Sequence, residues 1–329
     1  MSNEEYPNLI DTNESNEKNH FPILMQLGVL GLILVGIFSV LFFHNTNNQV
    51  IGELPPAPIQ DNAAATVLIP QKITAPNLQA KAAYVWDVRA QRALYASNES
   101  TPLPIASITK LMTTLLSYEL IEQNEVTTVS QNAILQEGSS GFSIGEQLTV
   151  EDLTQMALIS SSNDAAYELA ASVGSLLGDR DPVSQFVTAM NIKAEELDLD
   201  SLEFKNMTGL DLSLTEPGAV GSARDVSFLM EHIIQTYPDI LIPTQQTAAR
   251  VYNTNGDYHE TENTNDIVNR IPNLIGSKTG YTDLAGGNLT IAFDLGLNRP
   301  IIITVLGSTR DERFSDVLKL VAAVQESIE

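Results

Sequence analysis

One uncharged apolar run near the start of the chain constrains its organisation more than any other feature. Residues 21–43 read FPILMQLGVLGLILVGIFSVLFF, in which only Gln26 and Ser39 are clearly polar. A helix of about 20 apolar residues crosses a bilayer core, whereas a buried helix of a soluble domain has a polar face. A cleaved signal peptide has a shorter apolar region of about 7–15 residues and a small-residue cleavage site, which HNTNNQV does not offer. We therefore predict an uncleaved transmembrane anchor over residues 21–43.

The segments that flank this run are polar. Residues 1–20 hold five carboxylates and one lysine, which predicts a disordered acidic tail. Residues 44–78 hold five prolines and few large apolar side chains, as an extended linker does. One folded domain is predicted over residues 79–329. The basic residues nearest to the run are Lys18 and Lys72, so the positive-inside rule barely discriminates the orientation of the anchor.

Within the predicted domain, hydrophobic periodicity indicates strands at both ends and helices between them. This order is typical of an α+β fold with an antiparallel sheet built from both chain ends and a helical cluster. The predicted strands span residues 82–88, 93–96, 288–294 and 300–307. The predicted helices span residues 108–121, 150–159, 165–173, 186–197, 223–234 and 312–328.

Composition narrows the chemistry that this domain can perform. Lys and Arg number 17 against 41 Asp and Glu, for a net charge of −24, which excludes a general nucleic-acid binder because such proteins need a basic surface. Cysteine is absent, so the chain has no thiolate nucleophile, disulfide or cysteine-ligated metal. The chain has only four histidines, so it offers few candidate residues for histidine-dependent chemistry.

The most informative segment is PIASITKLMT at residues 104–113, which contains Ser107 and Lys110 at the start of a predicted helix. Residues i and i+3 share a helix face, so the lysine amine can lie beside the serine hydroxyl. Unpaired backbone N–H groups at a helix start can stabilise an oxyanion. A buried lysine with a depressed pKa can act as the base without any histidine. By itself, S-x-x-K is better explained as a helix cap followed by an exposed lysine.

Two further segments change that interpretation. Ser161-Ser162-Asn163 lies in a polar break between two predicted helices, and the segment GSKTG at residues 276–280 precedes a predicted strand. A lysine and a threonine on a strand beside a cleft can bind a carboxylate, and a neighbouring glycine lets a ligand backbone approach closely. In this order, the three segments match the S-x-x-K, S-x-N and K-T-G set of penicillin-binding proteins and class A β-lactamases.

From about residue 82 to residue 314, the chain resembles the D-alanyl-D-alanine carboxypeptidase family of low-molecular-mass penicillin-binding proteins. The resemblance implies a β-lactamase/transpeptidase-like fold. It also implies a serine peptidase that removes the terminal D-Ala from peptidoglycan stem pentapeptides through an acyl-enzyme. The marks that carry it are Asp87, ASITKLMT at 106–113, TVEDL at 149–153, SSNDAA at 161–166, FVTAMNIKAEEL at 186–197, FKNMTGL at 204–210, SARD at 222–225, NTN at 263–265, GSKTGYTDLAGGNL at 276–289 and Arg313-Phe314.

The resemblance also implies a role for each motif residue. The catalytic roles fall to the nucleophile Ser107, the general base Lys110 and the proton relay Ser161. The substrate-binding roles fall to Asn163, Lys278, Thr279 and Gly280. The backbone N–H groups of Ser107 and Tyr281 are the expected oxyanion hole. No metal or organic cofactor is implied.

The implied partners follow from the same resemblance. They are a peptidoglycan stem peptide ending in D-Ala-D-Ala, β-lactam antibiotics as covalent inhibitors, and the lipid bilayer through residues 21–43. Because the substrate lies outside the cytoplasmic membrane, we expect a single-pass protein with a cytoplasmic N-terminus and the domain on the outer side. We expect two departures from the family: Ser162 stands where the family usually has glycine, and the 329 residues are not predicted to include the family's C-terminal β domain and amphipathic anchor helix.

Several alternatives compete with this interpretation. D,D-endopeptidase action on cross-links uses the same chemistry, and the sequence leaves it open. A class A β-lactamase needs a deacylating glutamate in an E-x-x-L-N context, which Glu195 and Glu196 do not match, so we predict slow release of penicillin. An inactive peptidoglycan-binding protein would lack Ser107, Lys110 or Lys278. The G-x-S-x-G at residues 141–145 lacks the flanking strand and helix of a nucleophile elbow, and His259 is expected in a polar loop.

Overall fold

The computed structural model describes residues 71–74, 76–138, 140–178 and 180–327. The predicted tail and anchor, and the linker up to residue 70, lie outside the described residues. Within the described ranges, no helix is both long enough and apolar enough to cross a membrane. The described part of the predicted linker contacts the domain, because Ile73 is buried and its backbone N–H donates to the Leu94 carbonyl at 3.0 Å.

The described residues form strands and helices in the following order along the chain. The strands are β1 (Ala82–Asp87), β2 (Arg92–Ser97), β3 (Leu103–Pro104), β4 (Val126–Thr128), β5 (Gln147–Thr149), β6 (Glu203–Phe204), β7 (Ala219–Gly221), β8 (Ala248–Tyr252), β9 (Tyr258–Glu262), β10 (Leu274–Thr282), β11 (Gly286–Asp294) and β12 (Pro300–Ser308). The α-helices are α1 (Lys110–Leu120), α2 (Gln131–Ile134), α3 (Val150–Ile159), α4 (Asn163–Leu177), α5 (Pro182–Glu196), α6 (Ala223–Thr236) and α7 (Glu312–Glu326). Short 3₁₀ helices span Ala106–Thr109, Pro238–Gln245 and Val268–Arg270.

The main sheet has the antiparallel order β10-β11-β12-β1-β2, so both ends of the domain build it as predicted. Alternate residues of β12 face opposite sides of this sheet. Ile302 belongs to the core shared with the helical cluster, whereas Ile303 belongs to the core under α7. Because both faces are covered, β12 is a nearly continuous apolar run.

Helix α1 runs through the middle of the helical cluster and is buried over most of its length. Its buried hydroxyl groups donate to backbone carbonyls: the Thr113 hydroxyl donates to Met207 at 2.7 Å, and the Ser117 hydroxyl donates to Thr113 at 2.9 Å. A helix enclosed in this way is held on all sides. Its first turn is therefore fixed relative to the neighbouring elements.

The prediction of a polar loop around His259 is wrong, because residues 258–262 form strand β9, paired with β8. Strand β9 carries polar residues on both faces, and β8 has only Val251 buried among its five residues, so neither shows the apolar alternation by which strands are recognised. Cross-strand side-chain contacts contribute to the pairing instead. The rings of Tyr252 and Tyr258 lie 5.7 Å apart, and Arg250 pairs with Glu260 at 2.8 Å.

The buried ion pair between Asp87 and Arg299 generates a test of the fold. The Asp87 carboxylate accepts from Arg299 Nη2 at 2.7 Å and from Nε at 3.1 Å, and both side chains are buried. We expect Asp87→Asn to lower the free energy of unfolding by about 3 kcal/mol, since it removes a charge with which a buried guanidinium pairs. Urea unfolding measures the change.

The matched control is Arg250→Gln, which breaks the exposed pair with Glu260. An exposed pair contributes about 1 kcal/mol or less. Equal losses in the two variants would contradict the structural role assigned to Asp87.

Candidate active site

The 3₁₀ turn Ala106–Thr109 lies against strand β10, the outermost strand on its side of the main sheet. Ser107 belongs to the 3₁₀ turn that leads into α1. A Cβ atom on Gly280 of β10 would lie 2.6 Å from the Ile105 carbonyl oxygen and 3.2 Å from the Ser107 nitrogen. Only glycine allows this approach, which brings the expected oxyanion-hole region of Ser107 next to the K-T-G segment.

Lys110 links the first two motifs. Its Nζ lies 3.1 Å from Ser107 Oγ, 2.7 Å from Asn163 Oδ1 and 2.9 Å from the Thr208 carbonyl oxygen. The side chain is fully buried, and this burial lowers the pKa of Lys110 to about 7. A charged lysine donates to all three oxygens. Once neutral, the amine has a lone pair, and the Ser107 hydroxyl can donate to it instead.

The Thr208 carbonyl is held by a turn within FKNMTGL, a segment that carries the family resemblance but for which the sequence predicts no role. Asn206 Oδ1 accepts from the backbone N–H of Thr208 at 3.1 Å and of Gly209 at 2.7 Å. Gly209 has a φ of +78°, and a Cβ there would lie 2.0 Å from the Ala106 carbonyl oxygen. The turn therefore packs directly against the serine turn and presents an acceptor to Lys110.

The second and third motifs meet at Ser161 and Lys278. Ser161 lies in the break between α3 and α4 with a φ of +63°, and its Oγ accepts from Lys278 Nζ at 2.9 Å. The pKa of Lys278 lies well below its usual value, first because the side chain is buried and then because Lys110 and Arg313 are nearby cations. A bound carboxylate would supply the negative charge that this part of the cleft needs.

The rest of the K-T-G segment is fixed by groups around β10. Thr279 Oγ1 lies 2.5 Å from Thr264 Oγ1, and Arg313 Nη1 donates to the Gly280 carbonyl at 3.0 Å. Arg313 is buried, and its Nε has no hydrogen-bond partner among the described residues. Tyr281 is half-exposed, with the Arg310 guanidinium 5.3 Å from its ring centroid. The segments that contain Thr264 and Arg313 carry the family resemblance, but the sequence predicts no role for either residue.

A loop of residues 140–146, the rim loop, closes one edge of the site. On one side, the Ser140 N–H donates to Asp164 at 2.9 Å, and the Ser140 hydroxyl contacts that of Ser162. On the other side, Glu146 pairs with His259 Nε2 at 2.6 Å and accepts from Asn253 at 2.9 Å. Ser162 therefore joins the edge of the cleft as well as capping α4, where it accepts from the Ala165 N–H.

Two of the alternatives involve residues whose positions the structure describes. Residues 140–146 lie in neither helix nor strand, so the nucleophile-elbow interpretation is wrong, and His259 pairs with Glu146 rather than with Ser143. Glu195 and Glu196 end helix α5. Glu196 pairs with Lys193 at 2.8 Å, so it has a partner outside the site.

The antiparallel sheet, the enclosed helix with its serine and lysine, and the K-T-G strand define a penicillin-binding-protein fold of the α+β class. Penicillin-binding protein D2 from Listeria monocytogenes, solved in an ampicillin-bound form, superposes with a TM-score of 0.63 at 29% identity, over 76% of this chain and 99% of that chain. Residues 69–310 match the model of the Peptidase_S11 family, described as D-alanyl-D-alanine carboxypeptidase. The chain therefore belongs to this family.

Two curated relatives are similar over most of the same region. One is D-alanyl-D-alanine carboxypeptidase DacF of Bacillus subtilis, with 31% identity over 74% of this chain and 61% of the relative. The other is a D-alanyl-D-alanine endopeptidase of Pseudomonas aeruginosa, with 30% identity over 74% of this chain and 76% of the relative. The chain thus spans about three-fifths of the length of DacF.

The pairing between Glu146 and His259 generates a test of the rim loop. We expect Glu146→Ala to speed amide hydrogen exchange across residues 140–146, because the loop loses its side-chain contacts with the β8–β9 hairpin. Mass spectrometry of peptic fragments measures it. The control is His259→Gln, whose amide can still donate to Glu146 and should preserve most of the protection. Equal exchange in the wild type and Glu146→Ala would show that the loop is held by its other contacts alone.

Proposed function

We propose that this protein is a serine D-alanyl-D-alanine carboxypeptidase that removes the terminal D-Ala from peptidoglycan stem pentapeptides. The observation that carries the proposal is the buried Lys110 amine, which contacts both the Ser107 hydroxyl and the Asn163 amide oxygen. Membership of the Peptidase_S11 family supports the same reaction. All three motifs are present, which favours an active enzyme over an inactive peptidoglycan-binding protein.

The first half of the reaction uses Lys110 as the base. Ser107 Oγ attacks the carbonyl carbon between the two D-Ala residues while its proton passes to the neutral Lys110 amine. The backbone N–H groups of Ser107 and Tyr281 stabilise the developing oxyanion. The amide C–N bond then breaks, a proton reaches the leaving nitrogen through Ser161, and D-Ala departs. Its carboxylate is bound by Lys278 and Thr279 throughout, with Gly280 leaving room for the substrate backbone.

The second half returns the enzyme to its resting state. Water gives up a proton to the base and attacks the ester carbonyl, and the bond between Ser107 Oγ and the acyl carbon breaks as Oγ is reprotonated. Asn163 binds the substrate amide and keeps Lys110 in place, as its 2.7 Å contact supports. A β-lactam reacts through the same attack by Ser107 Oγ, and it carries a carboxylate of its own. The chain lacks a glutamate in the E-x-x-L-N context, so we propose that the penicilloyl-enzyme persists.

The proposed setting is the outer side of the cytoplasmic membrane. Residues 21–43 form the proposed anchor, and residues 44–78 include the proposed linker. The substrate, a wall peptide, is reached from there with the N-terminus in the cytoplasm. Protease added to intact spheroplasts distinguishes the two topologies, because only an outward-facing domain is digested.

The activity is tested with a pentapeptide that ends in D-Ala-D-Ala. We expect the wild type to release D-alanine, and Ser107→Ala to release none, because no other hydroxyl touches the Lys110 amine among the described residues. Enzymatic quantitation of free D-alanine measures both proteins. Release by both, or by neither, contradicts the assignment. Thermal unfolding of Ser107→Ala checks that the variant is folded.

A pH profile tests the base. Burial sets the pKa of Lys110 at about 7, so the neutral, basic form predominates only above that pH. We expect the second-order rate constant for acylation by a fluorescent penicillin to fall about tenfold per pH unit below pH 7, and to level off above it. Gel fluorescence after timed quenching measures the rate. A profile that is flat between pH 5 and 7 would exclude Lys110 as the titrating base.

A further inference from the structure

The NTN segment, residues 263–265, directly follows strand β9 and links the second motif to the third. The hydroxyl of its middle residue, Thr264, lies 2.5 Å from the hydroxyl of Thr279 in the K-T-G strand. The backbone N–H of Thr264 donates to the carbonyl of Ile159 at 3.0 Å, two residues before Ser161. Thr264 therefore contacts the end of α3 with its backbone and the K-T-G strand with its side chain.

The two asparagines of this segment fix the backbone around Thr264. The Asn263 side chain donates to the Thr244 carbonyl at 2.9 Å and accepts from the backbone N–H of Asn265 at 2.8 Å. The Asn265 side chain is buried and donates to Ser277 Oγ at 2.9 Å. The threonine side chain has a single stiff torsion between this fixed backbone and its hydroxyl. The position of the Thr264 hydroxyl next to Thr279 is therefore determined by the turn.

The direction of the hydrogen bond between the two threonines follows from the role proposed for Thr279. A hydroxyl has one hydrogen, and a carboxylate can only accept. When the Thr279 hydroxyl donates to the substrate carboxylate, the bond between the threonines must run from Thr264 to Thr279. The alternative acceptor for the Thr264 hydroxyl, the Ile159 carbonyl, is 3.4 Å away, longer than the usual O–H···O distance of about 2.7–2.8 Å.

The two residues of the proposed carboxylate site bind in different ways. The charge of the Lys278 ammonium attracts a carboxylate from any direction, whereas a hydroxyl binds it along one O–H bond. Thr279 is only 4% exposed, so protein groups rather than bulk water direct its proton. A donor to Thr279 Oγ1 also polarises that hydroxyl and strengthens the bond that it donates onward. Thr264 is such a donor.

We propose that Thr264 is a positioning residue of the carboxylate site: by donating to Thr279 Oγ1, it directs the Thr279 proton towards the terminal carboxylate of the substrate. The inference rests on the proposed function, since it concerns the binding of the same substrate. Thr264 acts through Thr279 and touches no reacting atom. Its effect is therefore to favour substrates that end in a free carboxylate, and an uncharged end group gains little from it.

Two ester substrates with one acyl group isolate the carboxylate. They are N-acyl-D-alanyl-D-lactate and N-acyl-D-alanyl-D-lactamide, which form the same acyl-enzyme and differ only in a carboxylate or a carboxamide on the leaving group. Chromatography of the released N-acyl-D-alanine gives the carboxylate preference, the ratio of the two kcat/KM values. We expect Thr264→Val to lower this preference about fivefold, the effect of losing one hydrogen bond. Its kcat/KM for the D-lactamide ester should remain close to the wild-type value.

Three further variants separate positioning from other roles. Thr264→Ser keeps the hydroxyl and should retain most of the carboxylate preference. The matched control is Thr261→Val, because the Thr261 hydroxyl has no hydrogen-bond partner among the described residues, and it should also retain the preference. In a Thr279→Val background, Thr264→Val should change the preference no further, because the hydroxyl that Thr264 orients is gone.

The inference fails if Thr264→Val keeps the wild-type preference, if it slows both esters equally, as a merely structural change would, or if Thr264→Ser loses the preference. Additive losses in the double variant would mean that Thr264 binds the carboxylate by itself, which overturns the positioning role. If the wild type shows no carboxylate preference but releases D-alanine from the pentapeptide, the inference is wrong and the carboxypeptidase proposal stands. If the wild type releases no D-alanine, the proposed function fails and the inference with it.

Discussion

The burial of the Lys110 amine is the constraint on which the rest of the site depends. Removing an ammonium from water is costly, so a buried lysine is either surrounded by acceptors or loses its proton. This chain does both, with three oxygens around Nζ and a pKa brought down to about 7. The three acceptors come from three separate segments: the serine turn, the start of α4 and the turn at Thr208. The hydrogen bonds of this one amine therefore bring the three segments of the site together.

That assembly requires backbone conformations that ordinary residues seldom adopt. Ala106, directly before the nucleophile, has a φ of +48°, and Ser161 has a φ of +63°. Each costs about 1–3 kcal/mol and persists only where the surroundings determine it. The enclosed α1 helix and the Gly209 turn against Ala106 supply those surroundings. At both positions the unusual φ turns the chain towards the cleft. Because these conformations are unfavourable by themselves, stabilising contacts elsewhere in the fold maintain the geometry of the site.

Sequence reasoning predicted those parts of the structure that leave a repeating or chemical pattern. The terminal strands were predictable because β12 is apolar on both faces and β11 alternates apolar with polar or small residues. Ser107, Lys110 and Lys278 were predictable because their side chains form known motifs. The Thr208 acceptor was not predictable, since a backbone carbonyl leaves no mark in residue identity. The contact between Glu146 and His259 joins residues 113 positions apart and depends on a polar hairpin whose pairing has no apolar alternation. Such contacts are set by tertiary packing alone.

The two buried lysines, Lys110 and Lys278, affect each other's protonation. A charge on either lysine disfavours a charge on the other, as the effect of Lys110 on the pKa of Lys278 indicates. In the proposed reaction, the substrate carboxylate binds next to Lys278 and favours its protonated form. A protonated Lys278 in turn disfavours protonation of Lys110, which keeps the base neutral when substrate is present. In the proposed reaction, a carboxylate ligand therefore does more than anchor the peptide on an acidic protein: through the repulsion between two buried amines, it favours the neutral Lys110 amine that takes the proton from Ser107.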